Sequence, residues 1–155
     1  MSNRFLFPHR FKLIGWILFI PAVILGLLIT LTDYTPFEWD LTVFAMYDGG
    51  FLEATKVMTL VENNVADEII GVVAIIGGLL AAFSKEKDED EYIAQIRLES
   101  LLWATYINYG FLLFSMLFIY GMGFYQIMIF NMFTLLFIFL VRFNFILYRA
   151  SRVAL

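Results

Sequence analysis

Four long apolar stretches, separated by polar segments, dominate the hydrophobic pattern of this chain. The uncharged runs predict membrane-spanning helices at about 13–31, 65–83, 101–120 and 125–141. A helix over the first run would be about 28 Å long, close to the hydrocarbon thickness of about 30 Å. The predicted fold class is therefore all-α, an integral membrane bundle of four transmembrane helices in one transmembrane domain, 1–155.

A basic leader precedes the first apolar run, an arrangement that also occurs in secretory signal peptides. The run is longer than the roughly 7–15 apolar residues of a signal peptide. No cleavage site of small residues follows it, because Leu31, Thr32 and Asp33 come next. We therefore expect this segment to be an uncleaved first span.

The segment 32–64 is acidic and is predicted to be an extracytoplasmic loop. Two apolar runs within it, Thr42–Met46 and Phe51–Val61, flank an Asp-Gly-Gly sequence at 48–50. Such a sequence is typical of a β-hairpin turn. A short amphipathic helix lying on the membrane surface fits the same pattern. The loop is therefore predicted to form a short hairpin or an interfacial helix.

A helix cap and a stripe of small residues mark the second span. Asn63 and Asn64 stand just before it, and an asparagine side chain there accepts hydrogen bonds from backbone N–H groups of the first turn. Ala74, Gly78 and Ala82 recur every fourth residue, which puts them on one face of the helix. Such a face lets helices approach closely in lipid, either within the bundle or at a dimer interface.

The basic residues predict the orientation of the chain. Nine of the ten lysines and arginines fall in the leader, in the segment 84–100 and in the tail after residue 141. Four spans would put these three segments on one side of the membrane, and the positive-inside rule makes that side the cytoplasm. We expect a multi-pass protein of the bacterial cytoplasmic (inner) membrane with both termini in the cytoplasm.

The composition excludes several classes of function. Hydrophobic residues make up 62% of the chain, against about 45–50% in soluble domains. There is no cysteine and only one histidine, His9, which excludes disulfides, thiolate metal sites and a bis-histidine haem within one chain. The acidic net charge argues against nucleic acid as a partner. No nucleophile–base grouping, phosphate loop or zinc motif is present, so we expect no enzyme, no metal and no cofactor.

The longest polar run is predicted to be a cytoplasmic acidic loop at 84–100. Its consecutive acids either cap a helix that begins near Tyr92 and otherwise lie in solvent, or dock a basic cytosolic or membrane protein. The helix-like stretch that follows adds a mixed apolar and charged surface. The predicted partner-binding residues are Lys85, Lys87, Asp88, Glu89, Asp90, Glu91, Tyr92, Ile96 and Arg97.

Uncharged polar side chains are the candidates inside the membrane, because no charged residue lies deep in a span. Asn108 lies about 10 Å from the cytoplasmic end of span three, and Asn131 about 8 Å from the opposite end of span four. We expect their depths to differ by roughly 10 Å, so that the two amides do not pair. Together with Thr105 and Ser115 they are predicted to form interhelical hydrogen bonds or a polar spot for a ligand.

Three segments resemble a group of small four-span inner-membrane proteins of Bacteroidetes-type bacteria. These segments are ENNVADEIIG, FSKEKDEDEYIAQIRLESLLWATYINY and IFNMFTLLFIFLVRFN. The resemblance runs through most of the chain and implies the four-span fold. It supplies no activity and no catalytic residue.

Two hypotheses for function follow. The first is a non-enzymatic adaptor, sensor or regulatory subunit that docks a partner through the acidic loop, with the extracytoplasmic loop as its sensing face. The alternative is a small transporter or channel-type subunit with a polar path between spans three and four. Besides the lipid bilayer, the expected partners are a basic protein and a second copy of the chain.

Overall fold

The computed structural model describes residues 5–32, 39–48 and 56–153. Three of the described helices are long and apolar enough to cross a membrane, and they lie at Arg10–Thr32, Glu91–Phe118 and Met122–Arg152. The chain is thus mostly helical and consistent with a multi-pass membrane protein. The elements in chain order are α1 (Arg10–Thr32), β1 (Asp40–Asp48), β2 (Lys56–Asn64), α2 (Ala66–Ala82), α3 (Glu91–Phe118) and α4 (Met122–Val153).

The helix α3 begins well before the predicted third span. It starts at Glu91, so the second half of the predicted acidic loop forms its first turns. Asp90 fixes this start, because its Oδ1 accepts a hydrogen bond from the Ile93 N–H at 2.8 Å. The prediction that an acid caps a helix beginning near Tyr92 is therefore confirmed.

The predicted extracytoplasmic loop contains a β-hairpin and not the alternative interfacial helix. The strands β1 and β2 pair antiparallel from Asp40, which lies opposite Asn64. The ladder omits Met46 and Met58, and Met58 has a φ of 53°, in the left-handed region. Of the predicted Asp-Gly-Gly turn at 48–50, only Asp48 lies within the described residues.

The described residues belong to two compact units, Met1–Ile20 with Ala74–Leu155 (unit one) and Pro21–Val73 (unit two). In unit two the hairpin is joined to the start of α2 through Asn64. The Oδ1 of Asn64 accepts from the N–H groups of Trp39 at 3.3 Å and Ala66 at 3.1 Å. Asn64 thus caps α2, as the sequence predicts.

In unit one, α1 and α2 approach each other closely at two glycines. A Cβ on Gly15 would lie 2.4 Å from the backbone nitrogen of Ala81, and a Cβ on Gly77 would lie 2.7 Å from that of Phe19. No real side chain fits at these distances. Small residues at a crossing let backbones pack directly, which is a typical way for helices to associate in lipid.

The predicted stripe of small residues on α2 packs within the chain. Ala74 and Ala82 are buried, and a Cβ on Gly78 would lie 3.1 Å from the side chains of Phe19 and Leu136. Of the two interpretations of this stripe, the structure therefore favours packing inside one chain over a dimer interface.

The helices α3 and α4 run antiparallel and are joined by a tight turn. Gly121 in this turn has a φ of 71°, a conformation that glycine adopts without steric cost. The inward face of α3 is polar and includes the buried residues Ser100 and Asn108. Its outward face is apolar, with Leu113 exposed to 61% and Phe114 to 56%. This inverted polarity fits a helix that contacts lipid.

Three chain segments meet at one end of unit one. The Phe7 N–H donates to the Phe83 carbonyl, and the Lys85 N–H donates to the Phe7 carbonyl, both at 2.9 Å. The rings of Phe83 and Phe139 stack with their centroids 5.9 Å apart. We call this region, formed by 7–12, 83–97 and 139–152, the basic end of unit one.

Candidate functional site

A buried ion pair lies at the centre of the basic end. Arg97 Nη1 donates to Glu89 Oε1 at 2.7 Å, and Arg97 Nη2 donates to Glu89 Oε2 at 3.1 Å. The two side chains are only 9% and 8% exposed. Nη2 also donates to the Ser84 carbonyl at 3.2 Å. This two-bond geometry is the strong form of an arginine–carboxylate contact, and it ties the acidic loop to α3.

Arg97 also lies over the first of three stacked aromatic rings in the basic end. Its guanidinium carbon lies 5.1 Å from the centroid of the Phe143 ring on α4. The Phe143 ring stacks on Phe139 at 5.6 Å, and Phe139 stacks on Phe83. A cation over a ring face is attracted by the ring quadrupole. Arg97 therefore connects the acidic loop, α3 and α4 through one side chain.

The N-terminal segment holds the same loop from the other side. Lys12 Nζ donates to Glu86 Oε1, and the Glu86 N–H donates to Glu89 Oε2 at 2.7 Å. His9 is exposed, and its Nδ1 lies in a hydrogen bond 2.9 Å from the Lys85 carbonyl oxygen. The contacts of Lys12 and His9 join residues more than 70 positions apart, so no local sequence pattern could have indicated them.

The predicted partner-binding residues separate into buried and exposed groups. Glu89, Ile96 and Arg97 are withdrawn into unit one, so they hold the loop and do not line its outer surface. Lys85 is half-buried. The surface available for docking is therefore smaller than the sequence indicates. The exposed group, which we call the acidic turn, consists of Lys87, Asp88, Asp90, Glu91 and Tyr92.

The prediction that Asn108 and Asn131 do not pair is wrong. Asn108 Nδ2 donates to Asn131 Oδ1 at 3.3 Å, and Asn131 Nδ2 donates to Asn108 Oδ1 at 3.1 Å. Their depths had been counted from opposite ends of two predicted spans. In an antiparallel pair the shared turn sets the register, and both asparagines lie about 17 Å from it by helix rise.

The other two predicted intramembrane residues bond locally. Thr105 Oγ1 donates to the Leu101 carbonyl at 2.8 Å, and Ser115 Oγ donates to the Phe111 carbonyl at 2.9 Å. Such bonds to the preceding turn satisfy a hydroxyl within its own helix. Of the predicted interhelical hydrogen bonds, only the asparagine pair is therefore formed.

An apolar groove lies between α3 and α4. Its volume is about 390 Å³, and it opens to the outside of the helix pair. The single polar side chain in its lining is Thr134, whose Oγ1 already donates to the Phe130 carbonyl. The lining residues are Ile107, Phe111, Ile127, Phe130, Thr134 and Ile138.

Three arginines near the end of α4 lie over aromatic rings and were not predicted as site residues. Within the described ranges, none of them forms an ion pair with a carboxylate. Arginine and tryptophan at the end of an apolar span are a known signal of the membrane interface, and this signal could have found them. The pairs are Arg142 over Trp103 at 4.9 Å, Arg149 over Phe145 at 5.9 Å and Arg152 over Tyr148 at 4.8 Å.

In the part of the chain that the structure describes, no three histidine, aspartate or glutamate side chains lie close enough together to hold a metal ion. Comparison with protein-family models, curated proteins and solved structures finds no match for this chain. The resemblance to small four-span inner-membrane proteins therefore stays a prediction.

Proposed function

We propose that this chain is a non-enzymatic adaptor or regulatory subunit of the bacterial cytoplasmic membrane that docks a basic protein partner through the acidic turn. One observation carries the proposal: neighbouring carboxylates have different environments. Glu86 and Glu89 are bound to Lys12 and Arg97 inside unit one. Asp88 and Glu91 are exposed on the same short segment.

This arrangement suits recognition because the acidic turn is held in position before a partner arrives. A segment fixed at both ends loses less conformational freedom on binding than a flexible loop. Opposite charge on the partner speeds association and selects against acidic proteins. An anionic inner leaflet would repel the exposed carboxylates and direct them toward the cytosol.

The proposed topology has four spans, with α2 as the span additional to α1, α3 and α4. The helix α2 has 17 residues, which gives about 26 Å, slightly less than the hydrocarbon thickness of about 30 Å. A bilayer thins locally around such a helix at modest cost. The pairing of Phe7 with Phe83 and Lys85 supports two crossings between them, since it joins the start of α1 to the end of α2.

In this topology the basic end of unit one faces the cytoplasm and the hairpin lies outside, as the sensing face. The chain has no cysteine, so single cysteines report the orientation without background. A cysteine at Lys87 should react with a membrane-impermeant reagent only after the cells are opened, and one at Glu62 should react in intact spheroplasts. The reverse pattern would contradict the topology.

Photo-crosslinking tests the docking proposal. A photoreactive phenylalanine in place of Tyr92, which is 59% exposed, should capture a basic protein in native membranes. The variant Asp88→Asn/Glu91→Gln removes two exposed carboxylates but leaves the Asp90 cap and the buried Glu89. We expect it to lower capture about tenfold, because complementary charges on two proteins speed their association and fix their relative orientation.

The matched control is Asp40→Asn/Glu62→Gln, which makes the same change in net charge on the hairpin. It should capture as much partner as the parent, and both variants should accumulate in the membrane at the parental level. Unchanged capture by the acidic-turn variant, or adducts with lipid alone, would contradict docking at this surface.

The alternative, a small transporter or channel-type subunit, relied on a polar path between spans three and four. The reciprocal bonds between Asn108 and Asn131 favour a packing role instead, since each amide already has a partner. Flux through reconstituted vesicles separates the two functions. No flux with the parent eliminates transport, whereas flux that is lost in Asn108→Leu would support it.

A further inference from the structure

The apolar groove and the arginines near the end of α4 lie on one face of that helix. At 100° per residue, the α4 residues of the groove lining and Arg142, Arg149 and Arg152 fall within about 120° of one another. The buried residues Phe139 and Phe143 lie on the opposite side. The groove is therefore continuous with the basic surface along α4.

The other wall of the groove reaches the same basic surface through α3. Trp103, Ile107 and Phe111 recur every fourth residue, so they follow one another along one face of α3. Ile107 and Phe111 line the groove, and Trp103 carries the stacked Arg142. Arg142 and Trp103 thus close the end of the groove with a cation over a ring.

Arg142 has hydrogen-bond donors to offer. Its guanidinium lies 4.9 Å from the Trp103 ring centroid and has no carboxylate partner among the described residues. Its Nε is buried and has no hydrogen-bond partner within the part of the chain that the structure describes. Stacking occupies the flat face of a guanidinium and leaves its edge, where two N–H groups match the oxygens of a phosphate.

The length of the groove fits one leaflet of a bilayer. The lining on α4 runs from Ile127 to Ile138, a rise of about 17 Å, and half of the hydrocarbon core is about 15 Å thick. Ile138 lies one helical turn before Arg142. An acyl chain in the groove would therefore bring a phosphate on the same molecule to the level of Arg142.

We propose that the groove and Arg142 form a binding site for one anionic phospholipid, with an acyl chain between α3 and α4 and the headgroup phosphate at Arg142. Arg149 and Arg152 favour an anionic headgroup over a zwitterionic one. The site requires that α3 and α4 cross the bilayer, as in the proposed function, but it does not depend on which side the basic end faces.

Trp103 is a built-in reporter for this site. A Trp16→Phe/Trp39→Phe background leaves Trp103 as the only tryptophan, and its fluorescence is quenched by bromine on the acyl chain of a nearby lipid. The protein is reconstituted in vesicles that contain brominated phosphatidylglycerol or brominated phosphatidylcholine with identical chains. We expect an apparent association constant about fivefold higher for phosphatidylglycerol at low salt, decreasing as salt is added.

Two variants separate the parts of the site. Arg142→Gln should bring the preference for phosphatidylglycerol close to one, whereas Arg10→Gln, an exposed arginine at the start of α1, should keep it. Thr134→Phe fills the groove without adding a second tryptophan and should reduce quenching by both lipids. Each signal is normalised to the emission of the same variant in unbrominated lipid, which removes any direct effect on Trp103.

Three outcomes would overturn the proposal. The first is an equal association constant for the two lipids with the parent protein. The second is an equal decrease in the preference for phosphatidylglycerol in Arg10→Gln and Arg142→Gln. The third is a disulfide between two copies that carry Phe130→Cys. The last would mean that a second copy fills the groove. Vesicles have the same lipid on both sides, so a reversed topology would contradict the proposed function and leave this result unchanged.

Discussion

Arg97 and Arg142 make reciprocal contacts between α3 and α4, since each lies over an aromatic ring of the other helix. Arg97 on α3 lies over Phe143 on α4, and Arg142 on α4 lies over Trp103 on α3. Among the described residues, Arg97 has a carboxylate partner, since Glu89 accepts two of its N–H groups, and Arg142 has none. The first arginine is enclosed and closes the loop onto the helices, while the second keeps donors for a group that comes from outside.

The carboxylate, and not the aromatic ring, separates an arginine that holds the fold together from one that can bind a group from outside. A ring stabilises a cation but accepts none of its in-plane hydrogen bonds. A buried guanidinium without an acceptor has a high desolvation cost, so Glu89 is required for Arg97 to be buried. Near the lipid headgroups, phosphate oxygens can take the corresponding role for Arg142.

The largest expected effect on stability comes from breaking the buried ion pair between Glu89 and Arg97. Glu89→Gln keeps the size of the side chain but leaves the Arg97 charge buried and unpaired. We expect the free energy of unfolding to decrease by about 3 kcal/mol, measured by titrating the solubilised protein from mild detergent into dodecyl sulfate. Glu91→Gln makes the same chemical change at an exposed position and should stay within about 0.5 kcal/mol of the parent. Equal effects for the two variants would show that Glu89 is not the partner that matters.

A smaller effect is expected when both members of the pair are replaced. Glu89→Leu/Arg97→Met removes the two charges together, and buried ion pairs are often replaced by apolar residues at little cost. The double variant should recover at least about half of the stability lost in Glu89→Gln, because no uncompensated charge remains. The same unfolding titration checks this. A double variant less stable than Glu89→Gln would mean that the hydrogen bonds to the loop, and not the charge balance, dominate.

The smallest effect on stability is expected at Arg142. Arg142→Gln loses only its contact with Trp103, which is worth about 0.5–1 kcal/mol at partly exposed sites. The unfolding titration in detergent without anionic lipid should show a change of this size. Added phosphatidylglycerol should stabilise the parent more than the variant, since a ligand that binds only the folded state raises its stability. A loss as large as in Glu89→Gln would contradict the distinction between the two arginines.

The helices could be predicted because apolar runs of the required length have few other structures available to them. The first span was expected at 13–31 and α1 covers Arg10–Thr32, with the polar flanks simply continuing the helix. The caps by Asn64 and Asp90 were also predictable, since they depend on residues two or three positions away. The choice between hairpin and interfacial helix was not, because strand pairing joins distant residues.

The site was less predictable for the same physical reason. Asp88, Glu89, Asp90 and Glu91 are equivalent in the sequence pattern, and the fold alone decides that Glu89 meets Arg97. The pairing of Asn108 with Asn131 could not be predicted from their depths in the predicted spans, because the turn at Gly121 sets the register of α3 and α4. At Arg142 the sequence indicates an interfacial arginine, but it does not show the pairing with Trp103, which lies on another helix.

The asparagine pair has a consequence for how the protein enters the membrane. A helix inserted with a lone asparagine would bring an unsatisfied amide into hydrocarbon, which is unfavourable. The bonds between Asn108 and Asn131 remove this penalty only when α3 and α4 are present together. The two helices are therefore expected to leave the translocation machinery as one helical hairpin. If translation stopped before residue 131, Asn108 on α3 would lack its hydrogen-bond partner.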